Sequence, residues 1–394
     1  MGTSLKARLA RWRLPLPSAA TVLTAVIAAG LLISPNPAWA MLFYVTVLPL
    51  FGLRLRALWP EDAGGLLGVA LIVWFTLTTL WDHAAGARAA PHLLWVWNGL
   101  CTLVFFLAAR ASYARAGPER ERLYSALIIV AAVNVAVSVG RATVIGMPEG
   151  RMNGWAEARH PILGAAIIGV CVILAAARAI HGRSSAGNGA VACAGLAFIV
   201  ATGSRGPLIA VAAALGVLLI GLAPRLLLAL AGAVLALALI AYFAAPGLDH
   251  AVGARYLARG WSNRLDIWDL ALREIAARPL FGHGPTARLA RAVDNFPHNL
   301  FLSTLFYSGA VGLLLLLALL ACAVLGAVRA KPAGERFMRL ALLANLVLTG
   351  LSDLSQVTKG PSPMWYIVWL PIVLALPPPH GHGQRARRVK RTSN

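Results

Sequence analysis

Apolar residues recur in long runs along almost the whole chain, and short segments holding Arg, Pro and Gly separate these runs. Many runs approach the roughly 20 residues that a helix needs to cross the hydrocarbon core of a bilayer. The pattern predicts an all-α polytopic membrane protein with about twelve transmembrane helices, residues 1–394 forming a single integral membrane domain. In chain order we place the spans near 19–34, 38–53, 64–81, 91–109, 123–140, 161–180, 188–203, 206–222, 226–246, 299–327, 337–352 and 363–377.

Two segments depart from this pattern. Residues 247–298 form one large loop, and a connection of that length in a compact bundle is functional by default. Residues 378–394 are rich in Pro, Gly and Arg, which is typical of a disordered basic tail at the inner membrane surface.

The large loop is expected to be partly helical. Ser262 is a suitable N-cap for a helix that runs to about Arg278, just before Pro279. Apolar residues follow Ser262 at spacings of three and four, so we predict an amphipathic helix on the bundle or the membrane surface. The predicted apolar face consists of Leu265, Trp268, Leu272 and Ile275.

The balance of charge is strongly basic, with 35 Lys and Arg against 14 Asp and Glu and a net charge of +21. In a soluble protein this excess would suggest nucleic acid. Here only 12% of the residues are charged, and no nucleic-acid-binding module accompanies them, so we set nucleic acid aside. Basic residues collect at the cytoplasmic ends of membrane helices and at anionic lipids. Their distribution places both termini in the cytoplasm and the large loop outside.

The outer segments hold more arginine than the positive-inside rule predicts. The 141–160 loop contains Arg141, Arg151 and Arg159, and the 203–206 turn contains Arg205. The large loop adds Arg255, Arg259, Arg264, Arg273, Arg278, Arg288 and Arg291. The outer face therefore carries a positive surface that suits an anionic ligand.

Among these residues, Arg205 and His298 have the most suggestive settings. Arg205 lies between two spans with almost no loop, where an arginine needs either an anionic ligand or a lipid phosphate. His298 lies between Pro297 and Asn299 at the mouth of an apolar run, where it could handle a proton or be a satisfied interfacial histidine. Arg264 is either a ligand of the anion or a solvated residue of the loop helix. Arg159 and His160 could line the same cavity, or be a lipid-facing arginine and a turn histidine.

Metal and nucleotide chemistry find no support in the sequence. The chain has no set of carboxylates or histidines with metal-ligand spacing, no P-loop and no Rossmann glycine pattern. All four cysteines lie in apolar runs and are interpreted as buried hydrophobes. We therefore predict no metal and no cofactor. If a phosphate-bearing substrate binds, arginines would take the place of a metal.

Several segments together resemble the O-antigen ligase and polymerase superfamily. Ser204-Arg205-Gly206 resembles its Ser-Arg-Gly turn, and Arg264 to Trp268 resembles its Arg-x-x-x-Trp motif in the large periplasmic loop. Gly282-His283-Gly284, followed by His298-Asn299 and a leucine three residues further on, resembles its Gly-x-Gly…His-Asn-x-x-Leu signature. His283 departs from the aliphatic residue of many relatives, and the 141–160 loop matches no motif.

This resemblance implies an inverting, metal-independent glycosyltransferase at the periplasmic face of the bacterial inner membrane. Length and loop size favour the ligase branch. Its donor would be O-antigen on undecaprenyl pyrophosphate, and its acceptor a sugar hydroxyl of lipid A–core in lipopolysaccharide biosynthesis. The hypothesis makes His298 the general base for the acceptor hydroxyl. Arg205 and Arg264 would bind the pyrophosphate and stabilise the charge on the leaving group. Contacts to substrate are assigned to Asn299, Trp268, Gly282, Gly284, Arg159 and His160.

Three alternatives remain open at this stage. A Wzy-type O-antigen polymerase would use the same donor with a second lipid-linked glycan as acceptor. A protein O-oligosaccharyltransferase would transfer the glycan to protein. A transporter or flippase for an anionic lipid would be expected to show paired repeats and polar residues at mid-membrane, whereas the ionisable residues here lie at the outer boundary.

Overall fold

The computed structural model describes residues 18–34, 36–82, 89–147, 150–182, 184–230, 264–289 and 296–378. Within these residues the chain is helical and contains no strand. The α-helices are α1 Ala19–Ala29, α2 Asn36–Gly52, α3 Leu55–Leu58, α4 Ala63–Leu77, α5 Ala89–Tyr113, α6 Pro118–Ile145, α7 Pro161–Ile180, α8 Ser185–Ala201, α9 Arg205–Leu222, α10 Arg264–Ala277, α11 Leu300–Val328, α12 Ala333–Asp353 and α13 Leu370–Ala375. Short 3₁₀ turns cover Thr78–Trp81 and Ala156–Ala158, and a π-turn covers Trp365–Trp369.

Six helices of the described chain are long and apolar enough to cross a membrane. They are Ala63–Trp81, Pro91–Tyr113, Pro118–Ile145, Pro161–Ile180, Arg205–Leu222 and Leu300–Val328. Ala19–Ala29, Asn36–Gly52, Ser185–Ala201 and Trp365–Ala375 are apolar but shorter. The prediction of an all-helical membrane protein is confirmed, whereas the number twelve stays a prediction. Most of the expected span 226–246, much of the 247–298 loop and nearly all of the 378–394 tail lie outside the described residues.

Helix α11 forms the middle of a row of helices that positions the site. One side of α11 packs against α4 and another side packs against α12, which in turn packs against α9 and α7. The loop helix α10 lies against α11. The row therefore runs α4, α11, α12, α9, and the start of α11 stands beside the end of α12.

A break in α11 fixes the large loop to the bundle. Gly309 has a φ of 68° inside the helix, a conformation that glycine tolerates better than other residues. The carbonyl groups freed by the break are used by the loop: His283 N–H donates to Phe306 O (2.8 Å) and Gly284 N–H to Tyr307 O (3.0 Å). In return, Ala310 N–H donates to Pro279 O (2.8 Å). The loop segment thus takes the place of one helical turn.

Buried ion pairs hold the helices together at the opposite end from His298. Arg110 contacts Asp62 (2.5 Å), the N-cap of α4, and Arg120 contacts Glu335 (2.7 Å) on α12. The two arginine side chains are almost fully buried, so their guanidinium charges need these partners. Burial alone would raise the pKa of Asp62, but the hydrogen bonds from Arg110 and from Gly65 N–H together with the Arg110 charge outweigh it, so this pKa lies below its ordinary value. Arg110 and Arg120 therefore have structural roles.

Helix α10 begins and ends close to the predicted positions, but its buried face differs from the prediction. Ile267, Ala271 and Ile275 are buried, whereas Leu265 and Leu272 are 54% and 52% exposed. Leu265 and Leu272 therefore do not pack on the bundle, and the alternative that they face the membrane surface stays a prediction. The helix is anchored at its first residue and packs along α11, and this orientation turns the 267–271–275 stripe inward.

Candidate active site

The carboxylate of Asp353 joins two of the candidates from the sequence, His298 and Arg264. One oxygen, Oδ1, lies 3.0 Å from Nδ1 of His298, and the other, Oδ2, lies 3.3 Å from a guanidinium nitrogen of Arg264. Asp353 is the last residue of α12, and its side chain is only 7% exposed. A buried carboxylate of this kind is stable because both of its oxygens meet donors.

Arg264 reaches across from the loop helix to the end of α12. Its guanidinium donates to the carbonyl oxygen of Ser352 as well as meeting Asp353. The side chain is 28% exposed, so part of the guanidinium remains accessible to a ligand. A guanidinium has five N–H donors, and the two protein contacts leave donors for an anion. Trp268 lies four residues further along α10, and its indole donates to the Pro297 carbonyl and not to Asp353.

His298 is held in an unusual backbone conformation by its neighbours. Its φ is 50°, in the left-handed region that costs energy for a residue with a Cβ. Trp268 donates its indole N–H to Pro297 O (3.0 Å), and Asn299 caps α11 by accepting from the N–H groups of Phe301 and Leu302. The amide of Asn299 also donates to Leu351 O (3.1 Å). Trp268 and Asn299 therefore fix the backbone on either side of His298 relative to α10, α11 and α12.

Arg205 begins α9 next to the same end of α12. A Cβ on the following residue, Gly206, would lie 2.4 Å from Ser352 Oγ, so only glycine permits this approach. Arg151 ties the outer loop to this turn, because it donates to Thr202 O (2.8 Å) and to Ser204 Oγ (3.0 Å). Arg205 and Arg151 thus bring two cationic side chains to one turn.

Three helix N-termini lie at this end of the bundle. Helix α7 begins after His160, α9 begins after Ser204, and α11 begins after Asn299. Free N–H groups and the helix dipoles make such ends favourable for anions. Together with the arginines, they create a positive region around the Asp353 carboxylate.

His160 shares the electrostatic environment of this region. It caps α7 by accepting from Leu163 N–H at Nδ1 (3.4 Å). Burial lowers the pKa of His160 below its ordinary value; the Arg151 and His298 charges lower it further, and Asp353 opposes them. The structure therefore brings His160 near the His298–Asp353 pair. Arg159 is exposed one residue earlier and lies close enough to Glu157 to affect its ionisation.

Gly282 and Gly284 have packing roles in the structure. Both have positive φ, 72° and 88°. A Cβ on Gly282 would lie 2.5 Å from backbone atoms of Tyr307 and Ser308, and one on Gly284 would lie 2.5 Å from the Cβ of Asp82. The predicted substrate contacts of the two glycines stay untested. His283 stacks on Phe306 with ring centroids 4.9 Å apart, and its Nε2 lies 2.8 Å from Glu274 O.

Asp353, Ser352 and Arg151 are absent from the candidate residues derived from sequence. Asp353 ends the apolar helix α12, and an ionisable residue at the end of an apolar run is a functional-site candidate in its own right. That signal was present in the sequence. No signal paired Asp353 with His298, because 55 residues separate them and the contact depends on how α11 meets α12.

The arrangement combines a histidine held by a carboxylate with cationic side chains and helix N-termini. It can accept a proton at the imidazole and bind anionic oxygens close by. Within the residues that the structure describes, no three His, Cys, Asp or Glu side chains gather so as to hold a metal ion.

Comparison with known proteins agrees with these motifs. Residues 189–317, which include Arg205, Arg264 and His298, match a family described as O-antigen ligase. An O-antigen ligase from Pseudomonas aeruginosa is 30% identical over 232 residues, covering 57% of this chain and 56% of that protein. The chain thus spans just over half the length of this relative. Both comparisons confirm the family resemblance: this chain is similar to the O-antigen ligases over part of its length.

Proposed function

We propose that the protein transfers O-antigen from undecaprenyl pyrophosphate to a sugar hydroxyl of lipid A–core, at the periplasmic face of the inner membrane. The observation that carries this proposal is the Asp353 carboxylate shared by His298 and Arg264. It joins an imidazole and a guanidinium through one buried carboxylate, and a reaction that expels pyrophosphate requires both a proton acceptor and a cation.

In the proposed step, the acceptor oxygen attacks the anomeric carbon of the donor sugar, and the bond from that carbon to the pyrophosphate oxygen breaks. His298 takes the proton of the acceptor hydroxyl at Nε2, because the bond from Nδ1 to Asp353 fixes the tautomer. The bonding electrons leave with the pyrophosphate. Attack opposite the leaving group inverts the anomeric configuration.

Arg205 and Arg264 would neutralise the charge that develops on the pyrophosphate. Pyrophosphate is already a good leaving group, so positioning and electrostatic stabilisation supply most of the remaining catalysis. The N-termini of α7, α9 and α11 add partial positive charge without a metal. Removing one such stabilising donor typically costs a factor of about 10²–10³ in kcat.

Asp353 would hold the imidazole in position and stabilise it when it becomes protonated. This role resembles that of the carboxylate in other acid–base pairs that contain histidine. The left-handed backbone at His298 supports the proposal, because strained conformations persist where the surroundings over-determine them.

The test uses purified wild type with lipid-linked O-antigen, first alone, then with lipid A–core and separately with an acceptor protein. We expect glycan on lipid A–core only. Lengthened lipid-linked glycan in the absence of core would make the protein a polymerase, and glycan on the protein would make it an oligosaccharyltransferase. Movement of the lipid across vesicles without any transfer would make it a flippase.

A further inference from the structure

A pocket of about 560 Å³ lies beside the loop segment 278–282, and its lining includes none of Arg205, Arg264, His298 and Asp353. Its walls are almost wholly apolar, and they are formed by Trp81, Arg278, Pro279, Leu280, Phe281 and Gly282. Trp81 donates its indole N–H to Phe281 O (3.1 Å), and the rings of Trp74, Trp81 and Phe281 pack 5.5–6.0 Å apart. These aromatic contacts hold the wall of the pocket in place.

The length of α11 places this pocket at the outer edge of the hydrocarbon. Its 29 residues extend about 43 Å at 1.5 Å per residue, whereas the hydrocarbon core is about 30 Å thick. With the inner edge of the hydrocarbon taken at Val328, because the charged connection that starts with Arg329 follows it, the outer edge falls about 20 residues along, at Gly309. Leu280 and Phe281 pack against Gly309. Their side chains are more than half exposed at this level, where lipid chains meet head groups.

Arg278 supplies a cation at the rim of the pocket. It directly follows α10 and is exposed. Within the described chain it makes no ion pair with a carboxylate, in contrast to Arg273 on the same helix, which pairs with Asp269 (2.7 Å). A cation beside an apolar pocket at head-group depth suits a lipid that carries phosphate.

The distance from His298 decides which lipid fits. About nine residues of α11 separate its start from Gly309, so the pocket lies about 14 Å from the histidine along the helix. The reacting carbon of the donor is bonded directly to its phosphate, so the donor phosphates must lie beside the histidine. The reacting hydroxyl of the acceptor is several sugars away from the lipid phosphate. A phosphate at Arg278 therefore fits the acceptor.

The order of the helices supports the same assignment. The pocket is formed at the α4 side of α11, and Arg205 begins α9 on the far side of α12. The His298–Asp353 pair stands between them, where α11 meets α12. Donor and acceptor would thus approach the histidine from opposite sides, without competing for one lipid path.

We infer that this pocket holds an acyl chain of the acceptor lipid while Arg278 binds its head-group phosphate, an inference that rests on the proposed function. The test compares Arg278→Gln and Phe281→Ala with wild type, using Arg273→Gln as the matched control because Arg273 is also exposed and lies five residues earlier. The probes are lipid A–core with its lipid phosphates and the same molecule without them.

For Arg278→Gln, we expect the KM for phosphorylated acceptor to rise about tenfold, with kcat and the donor KM unchanged. Without the lipid phosphates, this variant and wild type should have the same acceptor KM. Phe281→Ala should raise the KM for both acceptors, and Arg273→Gln should behave as wild type. An unchanged acceptor KM in Arg278→Gln, or a raised donor KM, would overturn the inference; the second result would assign the pocket to the donor lipid.

A binding measurement separates failure of this inference from failure of the proposed function. Lipid A–core with a photoreactive acyl chain is irradiated with wild type in phospholipid vesicles, and the labelled residues are mapped. Labelling at 278–282 without any ligation would retain the pocket as a lipid A–core site and reject the proposed ligase. Ligation without labelling there, or labelling abolished by excess phospholipid, would reject the pocket.

Discussion

Nδ1 of His298, at the start of α11, lies 3.0 Å from Oδ1 of Asp353, at the end of α12. His298 lies just before α11 and Asp353 ends α12, so the packing of these two helices brings the residues together. The Asp353 side chain is buried, and its second oxygen meets Arg264. This contact gives the proposed base a fixed orientation and links it to the proposed anion site.

Replacement of Asp353 by Asn keeps the shape of the side chain but removes its charge. The amide can donate to Nδ1, which favours the wrong tautomer of His298 for proton transfer at Nε2. We expect kcat to fall about 100-fold, within the usual range for general acid–base catalysis, with donor and acceptor KM changing little. Steady-state kinetics would measure this, with Asp269→Asn as an exposed control. Equal losses in the two variants would contradict the positioning role.

Replacement of Arg264 by Lys tests the planar guanidinium. A lysine keeps the charge but cannot reach Ser352 O, Asp353 and an anion in the same fork geometry. We expect kcat/KM for the donor to fall at least about tenfold, the effect of losing one charge-assisted hydrogen bond. Arg273→Lys, in an exposed pair, should leave both parameters unchanged. If Arg264→Lys matched Arg273→Lys, the donor assignment would be wrong.

Replacement of Gly309 by Ala should destabilise the fold severely. The new Cβ would lie 2.1 Å from Leu280 O, at a residue with positive φ. We expect a loss of about 3 kcal/mol or more in the free energy of unfolding, because backbone atoms of the loop have to move. Gly216→Ala is the matched control within α9, since its Cβ would meet open space. Thermal unfolding in detergent measures both, and similar midpoints would show that the break in α11 is not structurally required.

The raised pKa of Glu157 predicts that the free energy of unfolding depends on pH. Burial raises its pKa to about 7 from the ordinary 4.5, and the nearby charges of Arg159 and Lys359 only partly oppose this. The folded state therefore favours the protonated carboxyl, and this contribution is present below about pH 4.5 and lost as the pH rises through about 7. The shift corresponds to about 3 kcal/mol.

Thermal unfolding between pH 4.5 and 8 would test this, with Glu157→Gln as the comparison. The variant cannot ionise at this position, so the gap between its stability and that of wild type should widen in its favour as the pH rises. Parallel curves for the two proteins would mean that Glu157 does not titrate differently on folding.

The class of fold and the principal candidate residues were predictable from sequence because they depend on local features. Apolar run length indicates membrane helices, and the motifs around Arg205, Arg264 and His298 are contiguous. The break at Gly309 could not be predicted, nor could the hydrogen bonds by which residues 279–284 replace the missing helical turn. Both depend on a packing partner distant in sequence. The same limit applies to Asp353.

The buried face of α10 shows why periodicity alone was insufficient. Leu265 and Leu272 fit an apolar stripe, yet they are exposed while Ala271 is buried. The anchor of Arg264 on α12 determines the rotation of the helix. In a membrane protein an exposed leucine carries little penalty, because lipid is also apolar.

The central claim is that His298 accepts the proton of the acceptor hydroxyl. The most direct measurement is single-turnover transfer by purified wild type and His298→Ala, with lipid-linked O-antigen and lipid A–core in the presence of EDTA, and with donor binding measured separately. We predict that wild type transfers glycan despite the chelator, whereas His298→Ala binds the donor with unchanged Kd and transfers at least about 100-fold more slowly. Transfer by His298→Ala at the wild-type rate would contradict the account.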